Sequence, residues 1–156
     1  MTYGSRSYME GQFGVKNIAV WADLDNDKSA TKVAARVLTA LAWADAEVNR
    51  YMRGGPYAVP LVTSDPVIVE AASVLAAVWL YENRGVQDYN PDTGEGGHRL
   101  MYRKRGAYST LQNARFGSIR IDAPMIDGIV PVVVKEERTL SPYDPFDVRG
   151  AGCEQL

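Results

Sequence analysis

Residues 29–53 read SATKVAARVLTALAWADAEVNRYMR, and this stretch decides the fold. Val33, Val37, Leu41, Ala44, Val48 and Tyr51 recur at steps of three and four, the period that gathers apolar side chains on one helix face. Alanines at 30, 34, 35, 40, 42, 44 and 46 favour the helical backbone and let a neighbour approach closely. Gly54-Gly55-Pro56 stops the helix. At its start, Asp23-Leu24-Asp25-Asn26-Asp27-Lys28-Ser29 is a polar turn whose side chains bond their own backbone, with Asp27 or Ser29 placed to cap.

Downstream, Tyr57 to Thr63 reads as extended, Pro60 steering Val59 away from the helical region. Asp65-Pro66 then supplies a cap and a first-turn proline for a helix over Val67–Arg84. That helix is apolar nearly all round, which predicts burial on most sides and a central place. Gly85 closes it, and residues 86–97 form a polar, glycine-rich loop. A further helix is predicted from His98 to Phe116, with Leu100, Met101, Tyr108 and Leu111 inward and Gly117 at its end. Upstream, Ser5 to Phe13 predicts a short helix with Tyr8, Met9 and Phe13 as apolar contacts, stopped by Gly14. Residues 1–117 thus predict a mainly α domain, a small bundle of about four helices.

After Gly117 the pattern changes. Ile119 and Ile121 alternate with polar partners, and Ile129 to Val134 is β-branched, although Pro131 argues against a central strand. Leu140 to Leu156 carries Pro142, Pro145, Gly150 and Gly152 and cannot form a helix of useful length. Residues 118–156 therefore predict an extended, partly β C-terminal arm. Ile129, Val132, Val134, Tyr143 and Phe146 are its candidate partner-binding anchors.

Of 156 residues, 46% are hydrophobic, enough for a core and too many for wholesale disorder. The net charge of −2 gives no global attraction to nucleic acid or anionic membrane. Locally, residues 98–120 carry Arg99, Arg103, Lys104, Arg105, Arg115 and Arg120 and no acidic side chain, between two acidic flanks. Such a block suits a charged partner or self-association, with a solvated helix face as the plainer alternative. The one cysteine, Cys153, can form no internal disulfide, which points to a reducing compartment. The N-terminus lacks the apolar core of a signal peptide, and no apolar run is long enough to span a bilayer.

Catalytic and metal chemistry find little support. Asp23, Asp25 and Asp27 alternate as in a calcium loop, but position six is Lys28 where a glycine is required and position twelve is Ala34 where a glutamate is required. The turn reads as a helix cap. His98 is the only histidine and no nucleophile motif accompanies it; Glu47 and Glu70 lie on different predicted helices with nothing to select them as a pair. Gly94, Gly96 and Gly97 follow no strand and precede no lysine–threonine pair, so they do not suit phosphate. No catalytic, cofactor-binding or metal-ligating residue is assigned, and the chain reads as a protein-binding protein. The run from Arg99 to Arg105 with Tyr102 leaves open a small nucleic-acid-binding regulator.

Tyr3 ahead of a short helix ending Phe13-Gly14, the acidic turn from Asp23 to Asp27, and Ala44-Asp45-Ala46-Glu47-Val48-Asn49-Arg50-Tyr51 form an ordered series. It continues with Gly55-Pro56-Tyr57-Ala58-Val59-Pro60-Leu61 and a buried helix ending Leu80-Tyr81-Glu82-Asn83-Arg84. Over residues 3 to 117 this resembles the head–tail connector (adaptor, or head-completion) proteins of tailed bacteriophages, particularly the Mu-like branch. The resemblance implies a helical bundle forming a ring, of twelve copies by expectation, beneath the portal protein at the virion neck after assembly in the host cytoplasm. Its partners would be the portal, neighbouring copies of itself and the next neck or tail-completion protein. Genomic DNA would pass through the channel without specific binding, and no membrane would be involved. In that frame Arg99, Arg103, Lys104 and Arg105 are candidate inter-subunit charge contacts, and the arm gains order on assembly. Another neck or tail-completion protein is the alternative.

Overall fold

A computed structural model describes residues 2–63, 65–85 and 98–126. The described residues form five helices: α1 (Arg6–Phe13), α2 (Val15–Ala22), α3 (Ala30–Met52), α4 (Pro66–Asn83) and α5 (His98–Arg115). The architecture is mainly α, as the sequence predicts, with one helix more than expected. The addition is α2, which buries Ile18 and Ala22, one pair four residues apart. So brief a repeat leaves no periodic signal. Gly14, at φ 87°, makes the corner between α1 and α2 in a backbone region that a side chain would strain.

α4 is the central helix. Its residues from Ala71 to Val78 are all buried, and α3 and α5 pack on it, with α1 and α2 against its remaining surface. Each fully buried Ile, Leu, Val or Met stabilises the fold by about 1.5–3 kcal/mol relative to exposure. From α3 the core receives Val33, Val37, Leu41, Ala44, Val48 and Met52; Tyr51, expected on the same stripe, is half-buried. On α5 the inward residues are Ala107, Leu111 and Ala114, with Leu100 and Tyr108 at the margin. Met101, expected inward, is 46% exposed, because at about 100° per residue it stands about 120° round the helix from Ala107, whereas Leu100 lies on the inward stripe.

Ser29 and Asp65 cap as the sequence predicts, and Ser5 is a further cap. Ser5 Oγ accepts from the Tyr8 N–H, Ser29 Oγ from Lys32 and Asp65 Oδ1 from Val67. No described helix is long and apolar enough to cross a membrane.

Candidate partner-binding surfaces

Tyr3 ties three parts of the body together. Its hydroxyl donates to Asn49 Oδ1 at 2.7 Å and accepts the Leu61 N–H at 2.8 Å, while its own N–H reaches Asp45 Oδ1 at 2.8 Å. Beside it the Ser5 N–H donates to Ser73 Oγ, a hydroxyl wholly buried in α4. Burial, ahead of its hydrogen bonds, raises the pKa of the Tyr3 phenol and of the Asp45 carboxyl. Tyr3, Asp45, Asn49 and Leu61 are thus joined by contacts that fix the start of the chain against α3 and the turn after it.

The chain beyond α5 stays on the body as far as Ile126. The Ile121 N–H donates to the Tyr57 hydroxyl at 3.2 Å, and the Asp122 N–H to Asp65 Oδ2 at 2.9 Å. Tyr57 and Met125 form an antiparallel bridge, flanked by Ala58 N–H to Pro124 O at 3.0 Å and Ile126 N–H to Pro56 O at 2.7 Å. Asp65 therefore caps α4 with one carboxylate oxygen and anchors the returning chain with the other. Residues 118–126, placed by the sequence at the root of the arm, are laced to the segment that joins α3 to α4. Ile129, Val132, Val134, Tyr143 and Phe146 lie outside the described residues, as do Cys153 and the loop 86–97.

At the opposite end of α3 the acidic turn closes on itself. Asp25 receives Arg36 at 2.9 Å and Lys32 at 3.3 Å; Asp27 pairs with Lys32 and accepts the Ser29 N–H at 2.9 Å. Arg36 also donates to the Ala22 carbonyl at 3.1 Å, covering the end of α2. Hydrogen bonds from Arg36 and then Lys32 lower the Asp25 pKa, and Lys32 foremost lowers that of Asp27. Two of the three carboxylates seen as calcium-like in the sequence, Asp25 and Asp27, hold these cations, and Asp23 Oδ2 accepts the Lys28 N–H.

The four cations proposed for contacts between copies divide. Lys104 Nζ sits 2.6 Å from Glu82 Oε1, bridging α5 to α4. The Arg103 guanidinium lies 4.8 Å from the Phe13 ring centroid and donates to the Gln12 carbonyl at 3.5 Å, holding α5 against α1. Arg105 is exposed, and among the described residues its guanidinium has no ion pair. The side chain of Arg99 lies outside the description. Two of the four are thus engaged within the chain, a role that charge counting could not separate from an outward one.

Sequence reasoning missed an aromatic and apolar skin. Trp43 and Trp79 stack at 6.0 Å across α3 and α4, and Phe13, Trp21 and Tyr81 meet edge to face at 5.7 and 5.2 Å. Leu38, Val20 and Leu24 are exposed on the same helices or the turn between them. On α5 Tyr102 is 67% exposed. The signal available was Leu38 and Trp43 standing off the α3 core stripe.

Against known proteins, residues 3–127 match the model of the family described as Bacteriophage Mu, Gp36. No curated protein matches the chain.

Proposed function

The chain belongs to the bacteriophage Mu Gp36 family, and from this membership we propose that it is the head–tail connector, or adaptor, of a Mu-like phage particle. It forms a ring beneath the portal, lengthens the DNA channel and offers the docking surface for the next neck or tail protein. The observation that carries the reading is the family match across residues 3–127, which spans the whole described helical body. Two features of that body support it. The first is a rigid frame, pinned from Tyr3 to Leu61 and from Asp65 to Asp122. The second is a set of outward apolar side chains, Val15, Val20, Leu38 and Phe116 among them, available to a partner.

Arg105, exposed and unpaired within the described chain, is the cation left for a neighbouring copy or the portal. The engagement of Arg103 and Lys104 inside the fold weighs against a nucleic-acid interface built from the whole basic run.

The test is reconstitution with a purified Mu-type portal ring, read by negative-stain electron microscopy. The full chain decorates the portal as a closed ring, and Arg105→Glu weakens decoration without changing helicity. A variant ending at Ile126 keeps the laced segment 118–126 and so isolates the contribution of the residues beyond. Binding to tail-tube ends, with the portal left bare, would identify a tail-completion protein and overturn the connector reading.

A further inference from the structure

A groove of about 540 Å³ runs between α4 and α5 and is closed on one side by Gln12 at the end of α1. Its floor is apolar, made by Val67, Val74, Ala107 and Ile119. Two features of its rim have no use inside the chain. The first is Glu70, exposed on α4. Of the carboxylates described, only Glu70 and Asp122 take part in no hydrogen bond or ion pair; every other one holds a cation or a backbone N–H. The second is Gly106, exposed in the middle of α5. A glycine there weakens the helix relative to alanine. A Cβ at this position would meet nothing within 4 Å, so no neighbour inside the fold demands its absence. What a bare backbone at the rim permits is close approach from outside.

The outer side of α5 carries a row that fits such a groove. Met101, Arg105, Ser109 and Asn113 follow at four-residue steps and all are exposed. Of the described cationic side chains that hold nothing inside the chain, Lys28, Arg53 and Arg120 lie outside the helices and Lys16 sits on the first turn of α2. Arg105 alone lies within a row that extends both ways along its helix. At about 100° per residue it stands about 160° round α5 from the buried Ala107. Arg105 and Glu70 of one copy form no ion pair, and the packing of α5 on α4 holds them apart.

We propose that the Met101–Arg105–Ser109 row of one copy seats in the α4–α5 groove of the next. Arg105 pairs there with Glu70, and Met101, unbranched and adaptable, lies on the apolar floor. Gly106 leaves the rim open for the incoming helix, a row of side chains entering a groove between two others. A nucleic-acid backbone would meet Glu70 with like charge, so the groove suits a protein surface that brings a cation. Each copy offers both halves on unlike faces, and a contact of that kind repeats head to tail, the arrangement from which rings are built. The inference rests on the connector reading in that it names the contact between its copies.

The experiment uses full-length chains, with and without a purified Mu-type portal ring. In one chain Ser109 is replaced by the photoreactive p-benzoylphenylalanine; the other chain is isotopically heavy and carries no probe. After irradiation, mass spectrometry should find the probe joined to heavy peptides from the groove, about tenfold above the yield when the probe replaces Leu38. Arg105→Glu in the probe chain, or Glu70→Arg in the heavy chain, should each cut that yield about tenfold, and the two together should restore it. Gly106→Gln in the heavy chain should cut it too, while the thermal midpoint of that chain holds or rises. A yield no greater than the Leu38 control would overturn the proposal. So would insensitivity to both charge reversals, failure of the paired reversals to restore the link, or links confined to the probe's own chain. Portal decoration without this link would sink the contact alone; the link without decoration would sink the connector reading alone.

Discussion

The Tyr3 phenol accepts the Leu61 N–H at 2.8 Å across 58 residues of sequence, and its O–H donates to Asn49 Oδ1 at 2.7 Å. One side chain thereby closes the start of the chain onto α3 and the turn that follows it.

Removing that hydroxyl should be felt throughout. Tyr3→Phe leaves the Leu61 N–H buried and unmet, costing about 1–3 kcal/mol. Thermal unfolding followed by circular dichroism should show a midpoint lower by several degrees. An unchanged midpoint would mean that water replaces the phenol at no cost.

Asp65 has two jobs, and Asp65→Ala should show both. Loss of the α4 cap costs about 0.5–2 kcal/mol. Loss of the Asp122 anchor frees the segment carrying Arg120, so trypsin should cut there faster than in the parent chain. Asp65→Asn should keep much of the cap, because the amide oxygen still accepts.

The acidic turn sets a pH dependence. The Asp25 and Asp27 pKa values are lowered from an ordinary 3.8, so the stability they contribute is present above that value and is lost as pH falls through their folded values. Lys32 shifts upward from 10.5, and its contribution is present below that and lost as pH rises through the folded value. Amide protection at Ser29, whose N–H donates to Asp27 Oδ1, should drop on the acid side before that of α4 does. Asp25→Asn should make the drop shallower, and added salt should blunt it.

Two glycines should respond oppositely to alanine. At Gly55 a Cβ would stand 3.1 Å from both Arg115 Cγ and the Arg115 carbonyl oxygen and 3.2 Å from the Met52 carbonyl oxygen, so Gly55→Ala should destabilise by about 1–3 kcal/mol. At Gly106, inside α5, a Cβ meets nothing within 4 Å, and Gly106→Ala should stabilise by about 0.5–1 kcal/mol. Denaturant midpoints would check both.

The long helices were legible because each buries a stripe or a whole surface, as with Val33 to Val48 and Ile68 to Leu80, and because Ser29, Asp65 and Gly117 mark their limits with local chemistry. α2 was not legible: eight residues with one buried pair give no period to detect. Nor could sequence distinguish Lys104, held by Glu82, from Arg105, which is not, since partner choice depends on where α5 lies against α4.

The bond from the Ile126 N–H to the Pro56 carbonyl fixes more than a loop. It fixes at one known spot the point from which residues 127–156 continue. From there Phe146 is twenty residues away and can travel no farther than about 70 Å. Untying Ile126 would move that origin and widen the sphere that covalent geometry allows.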